Sequence, residues 1–138
     1  MEEWRGTREG RLALVIVLDQ FSRNLFRDDP RAFDQDAHAI EVAREAIAKG
    51  DEAVSTPSER QFLYLPFEHS EDMADQDRAV ALMGQLEAFE ETRGLAQWAV
   101  RHRDVVARFG RFPHRNAVLG RPSTAEEEAF LAQPGSRF

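Results

Sequence analysis

Leu12-Ala-Leu-Val-Ile-Val-Leu-Asp-Gln-Phe-Ser-Arg-Asn-Leu-Phe26 decides the fold. Its first seven residues are wholly apolar and fit either a buried parallel strand or a buried helix, because so short a run shows no period of its own. A strand needs partners, and no other segment of the chain reads as one. The run also continues into residues 19–26, where Phe21 and Leu25 stand four apart, as on one face of a helix. The stretch therefore predicts a helix over roughly 10–26, apolar nearly all round at its start. Such a helix belongs at the centre of a bundle.

Working outward, Asp28-Asp29-Pro30 opens a second helix, with Asp29 as N-cap and Pro30 at the first helical position. Phe33, Ala37, Ile40, Ala43 and Ile47 then recur at helical spacing, and Gly50 ends the pattern. Thr56-Pro-Ser-Glu59 is a capping box leading into Phe62, Leu63 and Phe67. Pro66 is expected to kink or end that helix. Ser70 reads as the N-cap of a helix over about 71–92, with Ala79, Leu82, Leu86 and Phe89 on one stripe. The next helix spans about 95–109, with Leu95, Ala99, Val106 and Phe109 inward and Gly110 as its stop. Pro113 starts a short helix that ends by Gly120, and Ser123-Thr-Ala-Glu126 reads as a second capping box. The expectation is an all-α fold of six to seven helices in antiparallel hairpins. It forms one domain over 1–133, with 134–138 as a loose C-terminal tail.

The bulk properties narrow the function classes. A chain of 138 residues is the size of one domain and can bury a proper core. With no cysteine, disulfides, thiol catalysis and cysteine-ligated metal are excluded. The apolar run of seven residues falls far short of the ~20 a membrane-spanning helix needs, and no signal-peptide pattern precedes it. A cytoplasmic protein without a membrane partner is expected. The net charge of −7 argues against nucleic-acid binding. That average conceals two blocks: residues 101–121 hold six arginines and one aspartate, whereas 71–93 hold seven acids and two arginines. Either the basic helix packs beside the acidic one, or the basic block steers an anionic ligand.

Four separated motifs, Leu18-Asp-Gln-Phe-Ser-Arg-Asn24, Phe33-Asp-Gln-Asp36, Leu65-Pro-Phe-Glu-His-Ser70 and Phe109-Gly-Arg-Phe-Pro-His-Arg-Asn116, resemble in kind and order the bacterial domain-of-unknown-function family 924. The resemblance runs from about Trp4 to Phe130. It implies a tetratricopeptide-like α–α superhelix and brings no activity with it. Members of that family usually carry a further helical segment ahead of the position matching Trp4. Loss of that segment would bare part of the apolar first helix, so a homodimer through the N-terminal helices is expected.

Several polar residues stand in unexpected places. His102 falls on the stripe of Ala99 and Val106, and an inward histidine must find partners. It reads either as a satisfied core histidine or as a general base. Asp36, one turn after Phe33, needs pairing if buried. A network of Asp19, Arg23 and Asp36 would supply it, and the same network could form a pocket wall. Glu68 and His69 follow Pro66. His69, His102 and His114 are the acid–base candidates, with Glu68 and Asp36 as orienting carboxylates. Arg23, Arg111 and Arg115 offer forked donors for carboxylate or phosphate, with Asn116 orienting. No His-x-x-x-His, phosphate loop, dinucleotide fingerprint or nucleophile elbow occurs, so neither a metal nor a cofactor is expected. Three functions remain open: a helical module binding a small anion or a peptide, a cofactor-independent enzyme using histidine acid–base chemistry, and a purely structural or oligomerisation domain. The Arg/His groove favours the first.

Overall fold

The computed structural model describes residues 2–138. The described residues are all-α, with no strand. Thr7 caps the first helix through its side-chain oxygen, which accepts from Gly10 N at 3.0 Å. Helix α1 (Arg8–Ile16) passes through a π-helical turn (Val17–Phe21) directly into α2 (Ser22–Leu25). Leu14, Val15 and Leu18 are buried, so the opening stretch is a core helix. The π turn was not foreseen. A turn of this kind accommodates one extra residue, and here both Leu18 and Asp19 are buried within it.

Asp29 caps the next segment as expected, its carboxylate accepting from Arg31 N at 2.9 Å. The single helix expected from Pro30 is, however, two pieces: a 3-10 turn (Pro30–Phe33) and then α3 (Asp36–Ala48). Asp36 thereby becomes the first residue of α3, at the end that favours an acid. Gly50, at φ +81°, closes the segment. The Thr56–Glu59 capping box forms at the start of α4 (Pro57–Glu68). Pro66 does not stop that helix. Its missing N–H falls in the last turn, where only one intrahelical bond is forfeited.

The N-cap of α5 (Met73–Gln85) is Asp72, which accepts from Ala74 N and Asp75 N. This corrects the expectation for Ser70, whose hydroxyl instead accepts from Asp72 N and donates to Asp75. Two 3-10 turns (Leu86–Ala88 and Glu90–Thr92) follow. Phe89 lies beyond the α-helical period and is exposed rather than on the inner stripe. Helix α6 (Leu95–Phe109) ends at Gly110, φ +74°. A 3-10 turn (Pro113–Arg115) then runs into α7 (Asn116–Leu119). The second capping box is formed by Thr124 and Glu127, one residue later than read, and opens α8 (Ala125–Leu131). Ser123 is diverted to a different partner, Asn116.

Helices adjacent in sequence are adjacent in space: α3 on α4, α4 on α5 and α5 on α6, with α1 against α3 and α4. The main core joins Leu14, Val42, Tyr64, Phe67 and Met83. A second cluster of Val105, Val106 and Phe112, backed by Phe109 and Phe130, anchors the C-terminal third. In the segment 134–138 four of the five residues are exposed. Ser136 is buried and donates to Leu131 O at 3.1 Å, and the Phe138 ring stacks on His102.

Candidate functional site

The π turn of the first helical element and the start of α3 face the end of α4 across a charged network. The Arg23 guanidinium donates to both Asp36 oxygens at 2.9 and 3.0 Å and to Asp19 Oδ1 at 3.0 Å. Asp19 Oδ1 also meets His69 Nδ1 at 2.8 Å. A carboxylate only accepts, so Nδ1 carries the proton and Nε2 is the nitrogen left for other work. Burial pushes the Asp19 carboxyl up, but His69 and Arg23 outweigh it and hold the group below its ordinary value. The expected Asp19–Arg23–Asp36 network thus exists, and it orients His69.

Next to it, Glu68 and His102 are both 5 % exposed. His102 Nδ1 lies 2.7 Å from Trp98 O. A carbonyl also only accepts, so this proton is fixed and Nε2 is an acceptor when the ring is neutral. Burial drives the His102 pKa down to about 3, and the nearby His69, His114 and Arg115 push the same way against the Trp98 hydrogen bond. The 3.8 Å approach of Glu68 to His102 Nδ1 is therefore no ion pair, since the ring is uncharged and its proton is committed. Burial, reinforced by Asp19, raises Glu68 to about 7.

The 3-10 turn at Pro113 supplies the other wall. Arg115 is 7 % exposed. It donates from Nη2 to His69 O at 2.8 Å, and its Cζ sits 4.6 Å from the ring centroids of both Phe33 and Phe112. Among the described residues no carboxylate pairs with it, and its Nε has no hydrogen-bond partner. The neighbouring His114 Nδ1 is likewise buried without a partner. Burial lowers Arg115 to about 10, which leaves it a cation at neutral pH. Burial, with Arg115 beside it, brings His114 to about 4.

Arg23, His69, His102, His114 and Arg115 line one cavity of about 500 Å³, a volume within the range of small-molecule sites. Asp36 faces a smaller adjoining cavity of about 320 Å³, which shares Phe33, His69 and Arg115 with the first. Three expected members line neither cavity: Glu68, buried beside His102, and Arg111 and Asn116, which lie elsewhere. Arg111 forks onto Glu127 at 2.7 and 2.9 Å and donates to Pro122 O. It holds Glu127 well below the usual carboxylate range. Asn116 is buried, donating to Ser123 Oγ and accepting from Arg121 Nε. Both side chains fasten the corner around α7 and α8. Glu71 accepts from Phe112 N and pairs with Arg121 at the same corner.

Sequence reasoning missed part of the wall. Gln20, Asn24 and Arg27 line the large cavity with Arg23. Together the four fall at i, i+3, i+4 and i+7, a polar stripe at helical spacing that was there to be read. Asp28 also lines it, in the left-handed region at φ +61°, a conformation that aspartate adopts more readily than most residues. Phe138 lines it as well; nothing in the sequence around it signals that. Among the described residues no group of three or more His, Asp or Glu side chains is arranged to hold a metal ion. No helix among them is long and apolar enough to cross a membrane.

Fold and site together define an all-helical protein with an Arg/His-lined cavity. The chain belongs to the bacterial family of proteins of unknown function DUF924, whose model matches residues 1–135. It is similar in structure to the protein of unknown function ATU0120 from Agrobacterium tumefaciens, with a TM-score of 0.83 and 43% sequence identity. The match covers 94% of this chain and 70% of that one. No curated protein matches.

Proposed function

We propose that the protein is a binding module for a small anion, held in the cavity between the π turn and the Pro113 turn. The observation that carries this is Arg115, a guanidinium 93 % buried by its 7 % exposure with no carboxylate partner and an unpartnered Nε. A buried charge is costly unless paired, and an anion on this guanidinium would offset that cost. The forked donor geometry suits a carboxylate or a phosphate. Arg23 adds little net charge, because Asp19 and Asp36 already face it. A thermal-shift panel of phosphate, sulfate, acetate and acidic peptides tests the reading. Stabilisation by at least one anion at millimolar concentration, lost in Arg115→Met, is expected. A panel without any stabilisation contradicts it.

A second reading, a cofactor-independent enzyme, is favoured by the Asp19–His69 contact of 2.8 Å. It is the arrangement by which a carboxylate orients a general base. His102, held neutral down to about pH 3, is a weak base by comparison and fits an orienting role. A turnover abolished by His69→Asn, with the melting temperature kept, would promote this reading. We also propose a cytoplasmic location, a tetratricopeptide-like stacking of the helix neighbours, and a homodimer through the N-terminal helices. The last is supported by Phe21 and Leu25, one turn apart and 53% and 74% exposed.

A further inference from the structure

The cavity already holds one ring, and it is the protein's own. Phe138 stacks on His102 with centroids 3.8 Å apart and planes inclined by 21°. Phe112 meets it edge-on at 6.0 Å and His114 at 5.7 Å, with interplanar angles of 80° and 78°. One parallel face and two perpendicular edges around a ring form an aromatic slot, the two edges being in the edge-to-face geometry that ring quadrupoles favour. His102 and His114 contribute as uncharged rings at neutral pH. Unlike the core aromatics, Phe138 is 39% exposed, and its backbone belongs to no helix.

The slot adjoins the unpaired cation. Phe112 carries both, with Arg115 Cζ at 4.6 Å from its ring on one side and the Phe138 ring at 6.0 Å. His114, whose ring faces Phe138, is the residue next to Arg115 in sequence and has its own unpartnered buried Nδ1. From this juxtaposition we propose that the cavity takes an aromatic anion. Its planar ring enters the slot that Phe138 occupies, and its acidic group lies on Arg115. Phe138 is then an internal competitor that leaves when the ligand arrives. The inference rests on the anion reading and narrows it: a bare anion uses half the site, whereas an aryl carboxylate or aryl phosphate uses both halves.

The test is a calorimetric titration of phenyl phosphate and of inorganic phosphate into the wild-type chain, Phe138→Ala and Phe138→Leu. Removing the competitor is expected to tighten phenyl phosphate at least tenfold in Phe138→Ala and to leave inorganic phosphate within twofold. Phe138→Leu, which fills the slot without a ring, falls between. In Phe138→Ala, phenyl phosphate is expected to bind at least tenfold tighter than inorganic phosphate. If the two ligands bind equally there, or if phenyl phosphate gains nothing from Phe138→Ala, the aromatic slot is overturned and the anion site stands. If neither ligand binds any variant, the anion reading fails and takes the slot with it.

Discussion

His102 and Glu68 titrate in opposite senses for one reason: burial disfavours the charged form of each. His102 is lowered from 6.5 to about 3. The unfolded chain therefore takes up a proton near pH 6.5 that the folded chain refuses, and stability falls as pH drops from about 6.5 towards 3. Glu68 is raised from 4.5 to about 7. Its contribution is fully present below about 4.5 and is lost as pH rises through 7. Each group acts with a limiting slope of about 1.4 kcal/mol per pH unit. His102→Asn, which keeps a donor near Trp98 O but cannot titrate, is expected to flatten the acid side of a urea-derived stability profile. Glu68→Gln is expected to raise stability at pH 8 by up to about 3 kcal/mol and to change little at pH 4. A profile whose acid limb is unchanged in His102→Asn would contradict the buried, neutral assignment. Sequence did mark His102, Asp36 and Arg23 as polar groups on apolar faces. The pairing of Arg23 with Asp19 and Asp36 was legible too; that the network would take in His69 was not, because His69 arrives from the end of α4, fifty residues further along the chain.

At the scale of elements, the corner of residues 109–121 separates polar side chains spent on packing from polar side chains that face the cavity. Phe109-Gly-Arg-Phe-Pro-His-Arg-Asn116 offered four polar candidates. Arg111 and Asn116 are spent on the corner itself, while His114 and Arg115 face the cavity. Sequence could not divide them, since the capping box at Thr124 and the acid at Glu71 that claim the corner arrive from elsewhere in the chain. Arg111→Ala leaves the Glu127 carboxylate, 2 % exposed, without its fork. A loss of stability in chemical denaturation is expected, since two charge-assisted hydrogen bonds go with the side chain. Anion affinity should stay unchanged in the same protein. A fall in affinity without a fall in stability would move Arg111 back into the site. Gly110→Ala meets no atom within 4 Å but must keep φ at +74°, and about 1 kcal/mol of destabilisation is expected in chemical denaturation.

For the whole molecule, helical periodicity sufficed for the class of fold, and the seven-residue apolar run was rightly a helix. The ends of elements were less legible. Pro66, expected to kink or end its helix, did not end it there, and residues 86–92 left the α-helical period, because local signals there compete with packing that sequence does not display. The cavity was least legible of all. It draws on the π turn, the end of α4, the middle of α6, the Pro113 turn and Phe138, segments more than a hundred residues apart. At this scale the proposed homodimer predicts that Phe21→Glu with Leu25→Glu shifts sedimentation from dimer to monomer at micromolar concentration. A wild-type chain that sediments only as monomer would contradict it.

The central claim is that Arg115 is the anchor of an anion site, and calorimetric titration of inorganic phosphate into wild type and Arg115→Met, at matched pH and low salt, addresses it most directly. The account predicts a saturable one-site isotherm for wild type and no measurable heat for Arg115→Met, with the variant's melting temperature equal or higher because a buried charge has been removed. An identical isotherm for the two proteins, with the variant still folded, would contradict it.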